Sequence, residues 1–300
     1  MKRFSNGAQG AIYATSAYAF WGLVPLFWSL FKSIPPLQIL GHRMFWSFVF
    51  FILLFWKKGK LYQLILNLRT KGVLFSNIPN ALLIGANWGV YIFAVNSGYA
   101  VESSLGYFIT PILNVVIGSF IFKETIGRVQ WIAFSFALAG VFWMGLAQNS
   151  IPWVALILAS TFSLYGVLKK KNKLSGLESI AIESTVLLPI AGILLLSREI
   201  STVNMLQLPD GVFLLGLITT AGALTVLPLV WFSEAAQKLP FSTLGFFQYL
   251  SPTLQLLIAV FIFKEPLIQS KLFAFILIWT GLAIFIVDSI TSYRKSANVN

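Results

Sequence analysis

Apolar residues recur along this chain in about ten blocks, each close to the roughly 20 residues a helix needs to cross a bilayer. They fall near 10–31, 38–56, 78–97, 103–122 and 129–147, then 151–168, 178–197, 212–233, 241–263 and 272–290. The joints between them are short and carry Lys, Arg, Gly, Ser and Asn. Blocks of this length are about twice as long as a barrel strand, and lipid offers no partner to an open backbone N–H or C=O. The pattern therefore predicts an all-α integral membrane protein of about ten transmembrane helices.

Composition strengthens that reading. The chain is 58% hydrophobic and only 10% charged, with a mean hydropathy of +0.84, whereas a soluble domain carries roughly a quarter charged residues. A net charge of +12 would suit a nucleic-acid binder, but the basic residues sit in the joints rather than on one face. With the N-terminus inside, sixteen fall on the inner side, including Lys57, Lys58, Lys60, Arg69 and Lys71 in one joint and Lys169, Lys170, Lys171 and Lys173 in another. Only Lys32, Arg198, Lys264 and Lys271 fall outside, with Arg43 left within a span. This bias predicts a multi-pass protein of the bacterial inner membrane with both termini in the cytoplasm, and with membrane lipids rather than nucleic acid as its surroundings. Lys2 and Arg3 precede an apolar stretch too long for a signal-peptide core, so 10–31 is expected to be an uncleaved first span. The absence of Cys and the single His argue against disulfides, thiolate chemistry and a metal site. No motif for a cofactor or a phosphate loop is visible, so any transport must draw on a gradient, an exchange or a partner.

The chain repeats itself at an offset of 141 residues. Pro111-Ile-Leu-Asn114 and Phe120-Ile-Phe-Lys-Glu124 return as Pro252-Thr-Leu-Gln255 and Phe261-Ile-Phe-Lys-Glu265, and Ala133, Phe134 and Gly140 return as Ala274, Phe275 and Gly281. Five spans per copy make the second copy enter the membrane from the opposite side, the inverted-repeat arrangement of secondary transporters. The expected organisation is a first five-helix repeat over 1–147, an inverted second repeat over 151–290, and a cytoplasmic tail over 291–300.

Several runs carry a resemblance to a known family: Trp21-Gly-Leu-Val-Pro25, His42-Arg43, Asn87-Trp88, Ala94-Val-Asn96 and Ser104-Leu-Gly-Tyr-Phe-Ile-Thr-Pro111. The most specific is Leu239-Pro-Phe-Ser-Thr-Leu-Gly-Phe-Phe-Gln-Tyr-Leu-Ser-Pro-Thr-Leu-Gln255. Over nearly its whole length the chain resembles the drug/metabolite transporter superfamily and, within it, EamA transporters of the RarD type. That resemblance implies a ten-helix carrier with two EamA repeats that exports or exchanges small metabolites or drugs. The small multidrug branch couples transport to protons through a glutamate of its first helix; the first span here has no acid, so that route is not implied.

Candidate site residues follow from polar and interrupting positions within apolar spans. Pro111 and Pro252 occupy matching mid-span positions, with Pro25 and Pro228 as further helix interruptions, and each proline frees a backbone carbonyl. Thr110, Asn114, Gln248 and Gln255 cluster around the first two, as cavity lining or as interhelical glue. Asn87 lies beside close-packing glycines, and Trp21, Tyr91, Tyr107 and Tyr249 offer rings for stacking on a solute. Arg43 is costly at depth unless it pairs, snorkels or meets water. His42 and Glu183 are candidates for ion coupling, and Glu183 for a state-dependent bridge to Arg43, although inversion leaves their heads about 10 Å apart at 1.5 Å per residue. Lys123-Glu124 and Lys264-Glu265 read as turns and interfacial anchors. The sequence thus points to a secondary transporter of a small organic solute, with protons or a counter-solute as coupling partners. A membrane enzyme acting on a lipid-like substrate through His42, Arg43 and Glu183, or a scaffold without transport, remain the alternatives.

Overall fold

The computed structural model describes residues 6–31, 34–96, 100–146, 152–196, 207, 209–264 and 269–297, and among these no strand occurs. Helix α1 spans Asn6–Trp28 and ends in a short 3-10 turn, Ser29–Phe31. Then follow α2 (Pro36–Lys57), α3 (Leu61–Arg69), α4 (Lys71–Asn96), α5 (Ala100–Phe120) and α6 (Arg128–Leu146). The second half holds α7 (Trp153–Lys171), α8 (Gly176–Leu196), α9 (Gly211–Ile218), α10 (Ala221–Lys238), α11 (Phe241–Gln248), α12 (Leu250–Leu257) and α13 (Gln269–Ala297). Among the described residues, seven segments are long and apolar enough to cross a membrane, and Leu105–Phe120 and Leu272–Asp288 are shorter apolar helices. Leu196 and Phe120, 85% and 80% exposed, lie on outward faces that only lipid would cover without penalty.

Local chemistry explains the element ends. Gly59, at φ +64°, closes α2 in a Schellman turn, in which Gly59 N–H reaches Trp56 O and Lys60 N–H reaches Phe55 O. The basic joint after it is not an open loop: Leu61–Arg69 forms a short amphipathic helix with Leu64 buried and Tyr62 exposed. Lys123 and Lys264, the two lysines of the repeated Phe-Ile-Phe-Lys-Glu run, both take left-handed backbone conformations, at φ 53° and 58°. The two copies therefore share a strained turn as well as residues.

The expected interruptions divide. The helix runs unbroken through Pro25, Pro111 and Pro228, because losing one backbone bond leaves the flanking bonds to hold the axis. Only the second-half copy breaks: Tyr249 forms a one-residue turn ahead of Pro252, and α12 continues into a π-helical stretch, Ile258–Ile262. The expected span 212–233 is also divided, into α9 and α10, at Thr219–Thr220.

Most of the packing crosses between the halves. Helix α6 lies along α13, α1 along α10 and α12, α5 along α7 and α11, α2 along α8 and α10, and α4 along α7 and α8. The α6–α13 contact is reciprocal. A Cβ on Gly140 would stand 2.8 Å from Ala274 O, and a Cβ on Gly281 would collide with Ala133 O. Each glycine thus admits the backbone that carries the other copy of its own alanine, as at a two-fold contact.

Candidate functional site

A cavity of about 190 Å³ lies between the halves, walled by α1, α2, α4, α5, α7 and α10 to α12. On α1 its face is Tyr18, Trp21, Pro25 and Trp28, a 3-4-3 spacing that keeps all four on one side of the helix. Trp21 is held by ring contacts to Tyr18, Phe162 and Phe232, at centroid distances of 5.6, 5.8 and 5.9 Å. Across the cavity Tyr91 and Tyr107 meet edge to face at 6.0 Å. Such packing fixes the rings without using their free faces.

Arg43 enters this wall from α2. Its Nε donates to Thr225 Oγ1 at 3.1 Å, and its guanidinium lies 5.1 Å from the Trp28 ring centre and 4.8 Å from that of Trp88. The partnership depends on a glycine one turn away. A Cβ on Gly222 would strike the Trp46 backbone, so only glycine lets α10 approach α2 closely enough to present Thr225. Gly22 acts likewise on the opposite wall, where a Cβ would stand 2.7 Å from Leu254 Cβ. That close crossing places Gln255 Nε2 within 3.2 Å of both Trp21 O and Ser251 Oγ.

Of the residues singled out from sequence, Trp21, Pro25, Arg43, Asn87, Tyr91, Tyr107, Thr110, Gln248, Pro252 and Gln255 line the cavity. Asn87 spends its amide hydrogens on Leu158 O and Thr161 Oγ1, and Thr110 donates to Gly106 O. Asn114 lies behind the wall, buried, with Nδ2 donating to Gln248 Oε1 at 3.1 Å; a Cβ on Gly245 would stand 2.8 Å from Pro111 O, so glycine brings α11 to this bond. Tyr249 is also buried away from the cavity, its hydroxyl 3.4 Å from Phe108 O. Tyr18, Trp28, Trp88 and Thr225 were not singled out. Stepping three or four residues along the helix from Trp21 would have found the first two, whereas Thr225 needed the crossing with α2.

A second polar centre lies at the lysine-rich end. Lys169 was assigned to a solvated joint, but it sits in the last turn of α7, fully buried, and donates to Glu183 and to Ser179 Oγ. Glu183 also accepts from Tyr165 OH at 3.0 Å, the single hydroxyl proton of Ser179 lies between Glu183 Oε1 at 3.0 Å and Asn77 Oδ1 of α4 at 2.9 Å, and Asn77 Oδ1 accepts from Asn172 Nδ2. Glu183 and Arg43 therefore have different partners here. The same end is tied by two carboxylates at helix starts. Glu124, expected as an anchor, accepts from the backbone N–H groups of Phe241 and Ser242, and Glu234 accepts from Gly176 N–H at 2.7 Å. His42 is buried apart from both centres, with no partner for either ring nitrogen among the described residues.

Comparisons with known proteins agree with this architecture. Residues 8–146 match the model of the EamA-like transporter family. The uncharacterized transporter YojE of Bacillus subtilis is 40% identical over 96% of this chain and 97% of its own. Protein RarD of Escherichia coli is 39% identical over 96% and 97%, and Protein RarD of Streptomyces exfoliatus 36% over 99% and 94%. A crystal structure aligns over 93% of this chain and 97% of its own with a TM-score of 0.73, and at 16% identity that likeness shows the fold alone. Identity of this order over nearly the full length, on apolar helices that line a cavity, makes the chain a multi-pass membrane protein that belongs to the EamA-like, RarD-type transporters of the drug/metabolite transporter superfamily.

Proposed function

We propose that this chain is a secondary carrier that moves a small organic solute by alternating access, its ten spans forming two inverted five-helix repeats. One observation carries the reading: a polar-and-aromatic cavity lies between the halves, and a separate set of interhelical bonds ties the lysine-rich end. On α7 the cavity residue Phe162 and the sealing residue Lys169 are seven positions apart, about 10 Å along the helix. The reciprocal Gly140 and Gly281 contacts and the matched turns at Lys123 and Lys264 support the inverted repeat.

In this reading the lysine-rich end and both termini face the cytoplasm of a bacterial inner membrane, so the cavity belongs to the outward-facing state. Opening inward requires α8 to part from α4 and α10, breaking the Asn77 and Glu234 ties, and α11 to part from the turn after α5, breaking the Glu124 tie. A cavity of about 190 Å³ is below the roughly 300–1,000 Å³ of sites for drug-sized ligands, which favours a compact metabolite. Protons or a counter-solute supply the coupling, with Glu183 as the acid in the proton case. An enzyme built on His42, Arg43 and Glu183 is disfavoured because the three hold separate positions and converge on no common point.

The test is counterflow with the purified full chain in liposomes, screening compact metabolites. Accumulation of labelled solute against an unlabelled internal pool supports the carrier. Binding without movement across the bilayer, for every solute that binds, would falsify it.

A further inference from the structure

Arg43 is a charge that the described protein leaves unanswered. Its Nε is bonded to Thr225 Oγ1, but among the described residues its two terminal NH2 groups meet no acceptor and no carboxylate lies within 4.0 Å. The titratable groups that act on it are the hydroxyls of Tyr107 and Tyr91. The three ion pairs among the described residues, Lys169 with Glu183, Lys170 with Glu124 and Lys238 with Glu234, belong to the lysine-rich end. Trp28 and Trp88 offer ring faces, which attract a cation but accept no in-plane hydrogen bonds from it. A guanidinium held at this depth calls for an anionic partner, and its planar fork of N–H groups matches two coplanar anionic oxygens.

We infer that the cavity takes a small organic anion, its carboxylate or equivalent oxygens bound by Arg43 and its apolar body lying among the rings of Trp21, Trp28, Trp88 and Tyr107. A cation is disfavoured as the ligand because, among the described residues, the cavity wall holds Arg43 and no carboxylate. Of the amides that line it, Asn87 and Gln255 already donate to protein groups, and beside the neutral donors of Gln248 and Tyr18 the guanidinium is the charged donor of the described wall. The same oxygens can come from a soluble solute or from the phosphate of an anionic lipid, and we assign the soluble solute because the cavity, lined by eight helices, holds only about 190 Å³. The inference names the solute class for the carrier proposed above, and its binding step stands independently of movement.

Benzoate, benzamide and benzylammonium share one ring and differ in charge, so they isolate the effect. Binding to the full chain in phosphatidylcholine nanodiscs is read from the fluorescence of the cavity tryptophans. Benzoate is expected to bind about 10- to 100-fold tighter than benzamide, the range that one or two charge-assisted hydrogen bonds provide, with benzylammonium weakest. Arg43→Gln should erase the preference, and Arg43→Lys should keep part of it by retaining the charge without the fork. Equal binding of benzoate and benzamide by the unaltered protein overturns the inference without relying on any variant to fold. So does a result in which phosphatidylglycerol, and not benzoate, gives the Arg43-dependent signal. Benzoate binding with no counterflow of any solute that binds would keep the anion site and sink the carrier; counterflow of neutral solutes with no anion preference would do the reverse.

Discussion

The two polar centres of this molecule answer the same problem in opposite ways. At the lysine-rich end, charge is buried and matched: Lys169 and Glu183 pair inside a mesh that also engages Tyr165, Ser179 and Asn77. In the cavity, charge is positioned and left open, since Arg43 has a hydroxyl and two indole faces but no described counter-ion. A satisfied network specifies one packing of helices, whereas an unsatisfied group waits for a ligand. The difference separates a seal from a site, and it assigns Glu183 first to holding helices and only then to any proton.

The strongest way to break this comparison is at the matched end. Lys169→Ala leaves Glu183 buried beside Tyr165 and Ser179 without its cation, and should destabilise the protein by about 3–5 kcal/mol, the usual cost of orphaning one member of a buried pair. Thermal unfolding in detergent measures it. Adding Glu183→Gln should recover part of the loss; additive losses would mean that the two residues are not coupled.

A somewhat smaller effect is expected at the crossing that builds the open site. Gly222→Ala forces α10 away from Trp46 and should cost about 1–3 kcal/mol by overpacking. It should also withdraw Thr225 from Arg43. Gly216→Ala is the control, because a Cβ there meets nothing within 4 Å. Equal effects at the two glycines would show that the close approach is not what matters.

Substitution of the amides probes the boundary between wall and support. Asn114→Leu removes the donor to Gln248 Oε1 behind the wall, whereas Gln255→Leu removes a bond to Trp21 O at the wall itself. Interhelical bonds in membranes average about 0.6 kcal/mol, so both stability losses should be modest. Transport per folded molecule should fall more for Gln255→Leu. Measuring flux against the amount of monodisperse protein distinguishes them, and an equal fall would place Asn114 in contact with the solute.

The smallest change is Thr225→Val, which keeps volume and deletes the acceptor of Arg43 Nε. It should leave stability within about 1 kcal/mol, since Nε remains near the cavity rather than sealed in protein. Its readout is a weaker benzoate preference by fluorescence titration, with an unchanged preference showing that Thr225 does not orient the fork.

Much of the architecture is already in the order of residues. The length of an apolar block is a local property, so the helices, their approximate ends and the membrane as solvent follow from the chain without knowledge of what touches what. The repeat is legible for the same reason: Pro, Lys-Glu and Gly recur at a fixed offset, and the left-handed turns at Lys123 and Lys264 obey it. Ten of the residues chosen for polarity, rings or interruption do line the cavity, because a polar or ring-bearing residue within an apolar block has few places to go.

What the sequence by itself did not determine is how far each helix is rotated about its axis and how closely two helices cross. Gly222 is one small residue among many until α10 is seen against Trp46, and only that crossing brings Thr225 to Arg43. Matching the second and seventh spans sets Glu183 opposite Arg43, whereas in this state the rotation of α7 gives it Lys169, fourteen residues away. Period and composition decide which face of a helix is apolar, and pairing is decided by a few ångströms of interhelical distance, which are a property of the packed protein alone.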